Sequence, residues 1–414
     1  MEDGRWAMPA TRTINAASKR AHNLSALGIL GSNHPHRMTR LSFHTGALVV
    51  ATLGSFSNAD RRSLPAGPQQ QPFNATTLVG SLNTPWDLVW GPDGMIWVSE
   101  RGGRISRVDP ATGQRTTAGT LDVRESGEGG LMGIALHPDF ARQPYVYAMH
   151  TSGGMIRHTN RLVRMRWDGR TLGAPQVLLD GIPAAGIHNG SRVVVGPDRM
   201  LYVTTGDAGS AGEAQDRRSL AGKILRVTLD GRPSPDNPFG DAVWSYGHRN
   251  PQGLVFHPTT GVLYETELGP GDNDEVNIIR RGANYGWPDV HGRCDDDVGA
   301  ERDFCRRHSV VEALVTWTPT IAPTGADFYM SDRIAGWRGS LLFTSLRAGT
   351  LHRATLSPDG TRILNVERLL VERFGRLRDV LVAPNGDVYL ATSNRDGRGS
   401  PDRDDDRIIR LTPR

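Results

Sequence analysis

The sequence predicts an all-β protein, a six-bladed β-propeller of four-stranded antiparallel sheets. Three observations carry that expectation. A tight turn followed by a short alternating strand recurs six times. A further strand, often of Ile-x-Arg or Leu-x-Arg type, follows each recurrence. No run of a dozen residues shows the apolar spacing of an amphipathic helix.

The first unit is Gly91-Pro92-Asp93-Gly94, then Met95-Ile96-Trp97-Val98, then Arg104-Ile105-Ser106-Arg107-Val108. The second has His137-Pro138-Asp139-Phe140, Tyr145-Val146-Tyr147 and Arg161-Leu162-Val163-Arg164-Met165. The third has Gly196-Pro197-Asp198, Leu201-Tyr202-Val203 and Lys223-Ile224-Leu225-Arg226-Val227. The fourth runs His257-Pro258, Val262-Leu263-Tyr264, Glu275-Val276-Asn277-Ile278. The fifth lacks the Pro-Asp turn and reads Trp337-Arg338-Gly339-Ser340, Leu341-Leu342-Phe343, Thr350-Leu351-His352-Arg353. The last is Ala383-Pro384-Asn385-Gly386, Val388-Tyr389-Leu390, Arg407-Ile408-Ile409-Arg410-Leu411. Turn residues between period-two strands make hairpins. Spacings of roughly 45–80 residues suit propeller blades with loop insertions. Such a ring leaves a central funnel, the usual place for a ligand. One propeller domain over 73–414 follows.

Before it the text differs. Met38-Thr39-Arg40 is a short basic start, and Leu41 to Phe56 is mostly apolar or small. Ser57-Asn58-Ala59 places small residues at its first and third positions. That layout is a secretory signal peptide over 38–59, so the protein is expected in the periplasm or outside the cell. Residues 1–37 read as an extension upstream of the true start, or as a disordered tail. The apolar run is interrupted by His44 and Thr45 and is too short for a membrane span, so no stable membrane insertion is expected. Residues 60–72, rich in Pro, Gln and Ser, read as a linker.

Composition excludes one class of partner. The chain carries 48 basic and 44 acidic residues. Residues 1–59 hold six of the basic and two of the acidic ones, and the remainder is balanced. Nucleic-acid binding gains nothing from bulk charge. Lysine occurs only at Lys19 and Lys223. The two cysteines, Cys294 and Cys305, exclude a CxxC site. A local bridge in an exported protein and two reduced thiols both remain open for them.

No GxGxxG, P-loop, HExxH or GxSxG is present. Nicotinamide-binding Rossmann units and the common hydrolase elbows therefore have no footing. What remains is a set of polar clusters where strands give way to loops. His188 sits in the glycine-flanked loop Gly186-Ile187-His188-Asn189-Gly190, and an imidazole accepts a proton from an alcohol near neutral pH. Capping a turn is the structural reading of the same residue. Arg249-Asn250 offers a guanidinium fork beside an amide, suited to a carboxylate or to a salt bridge between blades. Arg347, Arg376 and Arg378 lie near other strand ends, with Arg376 and Arg378 on one face of a strand. Gly269-Pro270-Gly271-Asp272-Asn273-Asp274-Glu275 is a turn dense in oxygen donors, the kind that calcium prefers, without the spacing of an EF-hand.

Taken together these stretches resemble the soluble quinoprotein sugar dehydrogenases, the glucose/sorbosone or aldose sugar dehydrogenase family that uses pyrroloquinoline quinone (PQQ). The resemblance runs from Thr84-Pro85-Trp86 to the C-terminus. It includes Glu128-Gly129-Gly130-Leu131-Met132-Gly133, Gly247-His248-Arg249-Asn250-Pro251-Gln252-Gly253-Leu254 and Asn284-Tyr285-Gly286-Trp287-Pro288. It implies that His188 takes the proton from a sugar's anomeric hydroxyl while hydride passes to the quinone. Arg249 and Asn250 would hold the quinone, and Arg249 would also stabilise charge developing on it. Arg376 and Arg378 would pair with its carboxylates. Arg347 stands where the glucose-specific member has a lysine against the quinone. Glu128 falls at a polar position near the active site. The backbone oxygens of Gly269 and Pro270 would ligate a calcium that polarises the quinone. Glu275, Tyr285 and Asp295 match a separate structural calcium site. Ile187 replaces an acidic residue of the glucose-specific member, so the resemblance leans to the broad-specificity aldose branch. The implied reaction is oxidation of an aldose to its lactone, with electrons leaving to an external acceptor. Two other readings stand beside it: a calcium-dependent propeller lactonase or other hydrolase, and a non-catalytic carbohydrate-binding propeller.

Overall fold

The computed structural model of the chain describes residues 71–154, 158–294 and 299–414. The expectations for 1–37, 38–59 and 60–70, and Asp295, lie outside the described residues. Within them, six antiparallel sheets of four strands each form a six-bladed β-propeller. The first described strand, β1, is Phe73–Val79. Blade 1 is β2 (Pro85–Trp90), β3 (Ile96–Glu100), β4 (Arg104–Val108) and β5 (Arg115–Thr120). Blade 2 is β6 (Leu131–Leu136), β7 (Tyr145–Gly153), β8 (His158–Arg166) and β9 (Gln176–Pro183). Blade 3 is β10 (Val193–Val195), β11 (Leu201–Thr205), β12 (Lys223–Val227) and β13 (Val243–Tyr246). Blade 4 is β14 (Pro251–Phe256), β15 (Leu263–Glu267), β16 (Asp274–Ile279) and β17 (Val315–Trp317). Blade 5 is β18 (Pro323–Tyr329), β19 (Ser340–Ser345), β20 (Thr350–Leu356) and β21 (Ile363–Leu369). Blade 6 is β22 (Leu377–Val382), β23 (Val388–Thr392) and β24 (Ile408–Pro413), completed by β1.

The first strands line the axis in a closed ring. β2 touches β6, β6 touches β10, and so on through β14 and β18 to β22, which touches β2. The two ends of the described chain close it, since β1 pairs with β24 from Phe73 opposite Pro413 to Val79 opposite Ile408. Each first strand is the inner edge of its sheet, and the ring leaves these edges short and protected.

Each of the six turns read from the sequence connects the first strand of a blade to its second, or runs into the second. Their aspartates explain why. Asp93 Oδ1 accepts from Met95 N at 3.2 Å and from the Trp97 indole at 3.3 Å. Asp198 does the same in blade 3, accepting from Met200 N at 3.2 Å and the Tyr202 hydroxyl at 3.0 Å. One carboxylate thus closes the turn and satisfies the polar end of an aromatic whose body fills the space between blades. Trp97 packs edge-on against Phe140 and Trp167 at 5.8 and 5.2 Å, between blades 1 and 2.

The first strands carry a second device, which the sequence reading missed. In five of the six blades the register slips near the start of the first strand, as between Pro85 and Asp87 or Leu377 and Asp379. A bulge re-aims a side chain. Three aspartates of these strands, of which Asp87 and Asp379 are buried, each accept from the backbone of the next blade. Asp87 takes Ile134 N at 2.9 Å, Asp379 takes Leu88 N at 2.7 Å, and Asp327 takes Val382 N at 2.7 Å. Asp87 and Asp379 also grip the buried guanidinium of Arg192. Burial pushes the Asp87 carboxyl upward, and Arg192 opposes it.

Among the described residues one α-helix, α1 (Gly299–His308), has no buried side chain. Covering no core, it has no apolar period, which is why the sequence did not announce it. Cys305 on this helix is bridged to Cys294, with Cα atoms 6.1 Å apart. Of the two readings left open for these cysteines, the bridge holds.

Removing the positive end of the buried cluster leaves two carboxylates facing each other. Arg192→Met is expected to cost about 3–5 kcal/mol, read as a lower denaturation midpoint. Adding Asp379→Asn to that variant should return part of the loss. Equal midpoints for wild type and Arg192→Met would show that the cluster contributes no stability.

Candidate functional site

The strand directions sort the loops. All six first strands run the same way along the axis, so the loops that enter them share one face of the ring. The loops between second and third strands open on that same face, and the Pro-Asp-Gly turns lie on the other. Glu128 precedes β6, His188 precedes β10, Arg249 and Asn250 precede β14, and Arg376 precedes β22. Gly269 and Pro270 lie between β15 and β16, and Arg347 between β19 and β20. Eight predicted positions from five blades therefore converge on one face. A cavity of about 580 Å³ on the opposite face, lined by Val89, Trp90, Leu136 and Val195 among others, contains none of them.

His188 is the most constrained. Its φ is +56°, a left-handed conformation that a non-glycine residue adopts at a cost. Two carboxylates hold it there. Its N–H donates to Glu128 Oε2 at 2.9 Å, and its ring Nδ1 meets Asp207 Oδ1 at 2.7 Å. An ionised carboxylate only accepts, so Nδ1 carries the proton and Nε2 is left as the acceptor. Burial alone would raise the Asp207 carboxyl. The His188 ring and donors from Gly209 N and the Trp287 indole hold it below the usual carboxylate range.

Arg249 and Asn250 join this group through the backbone and the amide. Asp207 N donates to Arg249 O at 2.8 Å, and Gly190 N donates to Asn250 Oδ1 at 3.0 Å. The Arg249 guanidinium lies over the Trp287 ring, 5.2 Å from its centroid. Its Nη1 donates to Leu268 O at 3.1 Å and to Gly269 O at 2.7 Å. Burial lowers the Arg249 guanidinium, while Asp207 and Glu267 oppose that shift.

Arg378 is buried beside the axis, donating to Gln252 Oε1 at 2.5 Å and lying 5.8 Å from the Trp86 ring centroid. Burial pushes it down to about 10, with Asp396 opposing. Arg376 pairs with the same Asp396 at 2.8 Å, so both arginines flank one carboxylate. Glu128 Oε1 is bound by Arg398 from blade 6 at 2.7 Å. Arg347 shares the face but stands exposed, and only its backbone N–H, donating to Ile321 O at 3.0 Å, fixes it.

The donors carry one pattern. Arg249 Nε, Asn250 Nδ2 and Arg378 Nε are buried and have no hydrogen-bond partner among the described residues. Leaving such groups unpaired is costly. Three orphan donors on one face are matched by an acceptor-rich, anionic ligand.

Gly269, Pro270, Glu275 and Tyr285 line one small enclosed cavity with Arg249 and Glu267. The Tyr285 hydroxyl is engaged, donating to Ile278 O at 2.6 Å and accepting Arg280 N at 2.8 Å, which leaves its carbonyl as the available oxygen. Beside this cavity Glu265 and Glu267 of β15 cluster with His248, from the loop before β14. Burial pushes Glu265 and Glu275 well above the usual carboxylate range, and the neighbouring Glu267 adds to both.

Sequence reasoning passed over Asp207, Trp287, Asp396 and Arg398. Asp207 had a signal. It follows the second strand of blade 3 as Gly269 and Pro270 follow that of blade 4, and strand ends on that side all meet the site.

Fold and site together define a propeller whose one face joins a held imidazole to an anion-binding set. A profile of the glucose/sorbosone dehydrogenase family matches residues 82–409, and the chain belongs to that family. Quinoprotein glucose dehydrogenase B of Acinetobacter calcoaceticus is 31% identical, over 87% of this chain and 93% of that protein. Aldose sugar dehydrogenase YliI of Escherichia coli K12 is 30% identical, over 82% and 93%. The PQQ-bound aldose sugar dehydrogenase of Streptomyces coelicolor superposes with a TM-score of 0.72 at 41% identity, covering 82% of this chain and 98% of that one.

The loop that carries Asp207 rests on the lysine of blade 3. Lys223 Nζ donates to the carbonyls of Glu213, Ala214 and Ala221 at 2.8, 3.0 and 2.5 Å. Burial pushes its ammonium down to about 8, against the pull of Asp216 and Glu213. The unfolded chain then binds more protons between that value and the ordinary lysine value of about 10.4, so stability should rise with pH across that window. Denaturant titrations from pH 7 to 10 should show this rise for wild type and a flatter profile for Lys223→Met. Parallel profiles would remove the assignment.

Proposed function

We propose that this chain is a PQQ- and calcium-dependent aldose dehydrogenase that oxidises the anomeric carbon of a sugar to the lactone. The observation that carries the reading is the trio of buried, unpartnered donors on the face that holds His188. PQQ is flat and bears three carboxylates, so it would satisfy Arg249, Asn250 and Arg378 together. Its chemistry when bound is to accept a hydride. The names of the relatives support the same reading, since two are quinone-dependent or PQQ-bound sugar enzymes.

The residues of the chain do the rest. His188 Nε2 takes the hydroxyl proton of the sugar while the C–H pair leaves as hydride. Asp207 holds the imidazole in the required tautomer and stabilises its charged form. Glu128 fixes the strained backbone from which the ring projects. Arg249 supplies positive charge beside the acceptor. The carbonyls of Gly269 and Pro270 would hold calcium. Gly269 O already accepts from the Arg249 guanidinium, so a cation held there would compete with that contact. Glu275 and the Tyr285 carbonyl would support a second calcium. A lactonase reading leaves the three orphan donors unexplained. We place the enzyme outside the cytoplasm, with the Cys294–Cys305 bridge in support, and assign its electrons to an external acceptor.

Purified apo-protein given PQQ, calcium, an aldose and an artificial dye should bleach the dye only when both additives are present. Lactone hydrolysis without quinone would favour the hydrolase instead. His188→Ala is expected to lose turnover by about 100-fold or more while its quinone titration stays near wild type. Normal turnover in that variant removes the base assignment. Chelating calcium should weaken quinone uptake by about tenfold or more in wild type, and much less in Arg249→Ala. Equal losses in the two proteins would uncouple the calcium from the arginine.

A further inference from the structure

Trp287 touches both chemical halves of the site. Its backbone is held at each end, with N–H donating to Gly247 O at 3.0 Å and C=O accepting from Gln215 Nε2 at 2.7 Å. Its indole Nε1 donates to Asp207 Oδ2 at 2.9 Å. The other oxygen of that carboxylate holds His188 Nδ1 at 2.7 Å. Its ring lies 5.2 Å from the Arg249 guanidinium carbon. We propose that Trp287 is a positioning residue that fixes the distance and angle between the His188 base and the Arg249 clamp. What base and clamp act on rests on the dehydrogenase reading, whereas the linkage is read from contacts within the chain.

The physical argument has two parts. A carboxylate rotates about its Cβ–Cγ bond unless both oxygens are held. Asp207 Oδ1 is held by His188 Nδ1 and Gly209 N, and Oδ2 by the indole. Without the indole donor the carboxylate can pivot on its Oδ1 contacts, and the imidazole plane moves with it. On the other side, a guanidinium over an aromatic face is attracted to that face, which limits its rotation. Arg249 keeps a buried Nε with no partner, so its plane decides what that donor can reach. One rigid side chain therefore sets both orientations. A reaction that removes a proton and a hydride from one H–C–O–H unit tolerates little error between base and acceptor.

Two substitutions separate the two contacts. Trp287→Phe keeps an aromatic face and removes the donor. Trp287→Leu removes both. Trp287→Phe should bind PQQ within about threefold of wild type, yet lose about tenfold or more in kcat with the sugar KM little changed. Trp287→Leu should in addition bind PQQ about tenfold more weakly. A readout independent of turnover is the NMR signal of the His188 Nδ1 proton in the calcium-loaded protein without quinone. It should be slow to exchange in wild type and lost to exchange in Trp287→Phe. Persistence of that signal in Trp287→Phe overturns the proposal, whatever the enzyme does with quinone. Equal PQQ affinity in the Phe and Leu variants overturns the clamp half. If wild type binds no PQQ, the functional reading fails, and the proton signal still decides whether Trp287 orients the base.

Discussion

One buried cation holds the axis of this molecule. Arg192 enters β10 and reaches Asp87 on blade 1, Asp379 on blade 6 at 3.0 Å and the Gln252 carbonyl on blade 4 at 3.0 Å. Blade 2 meets it through Gly133, whose N–H donates to Ser191 O at 3.1 Å. A Cβ on Gly133 would stand 2.2 Å from that oxygen. Blade 5 meets it through Gly325, where a Cβ would stand 1.6 Å from Asp379 Oδ1. Blades 1, 4, 5 and 6 therefore meet the guanidinium that blade 3 supplies, and blade 2 meets the backbone beside it; blades 1 and 6 do so through carboxylates, and blades 2 and 5 through the absence of a side chain. A buried ion cluster is weak evidence for net stability, because desolvation offsets much of the attraction. Its better-supported use here is registry. It admits one arrangement of six similar sheets.

That registry is what positions the chemistry. The His188 loop ends at Ser191 and runs directly into Arg192. His188 therefore hangs from the same residue that locks the ring. Arg378 shares Gln252 with Arg192, using the amide oxygen where Arg192 uses the carbonyl. Trp86 lies near both guanidiniums, at 4.6 Å from Arg192 and 5.8 Å from Arg378. Axis and site are thus one connected structure. The two arginines differ in a way that assigns their tasks. Arg192 meets two carboxylates closely, Asp379 at 3.0 Å among them, whereas Arg378 has its carboxylate, Asp396, only at 4.0 Å.

Much of this was legible in the residues. The Pro-Asp-Gly turns and the period-two strands gave six blades, because turn chemistry and alternation are local. The site residues were legible by a different route. Arg249 or His188 alone supports a salt bridge or a turn cap equally well, and only several long motifs in order pointed to a family. What escaped was non-local. The Asp87, Asp327 and Asp379 relay depends on bulges that shift register by one residue, and no local pattern marks them. Asp207 and Asp396 acquire meaning only from the histidine and arginines that the fold brings against them.

The division of labour between the faces follows from the same topology. Pro-Asp-Gly turns are short because their function is to return the chain, and they cap aromatics such as Trp97 and Tyr202 that hold adjacent blades together. The opposite loops are longer, carry buried charge and include a histidine at positive φ. Such strain persists only where the surroundings over-determine it. Here Glu128, Asp207 and the Arg192 anchor all act on the few residues of one loop. A loop held by two carboxylates would be a poor stability device, since it concentrates negative charge against a strained backbone. It is a sound way to fix which imidazole nitrogen carries the proton and which is left free.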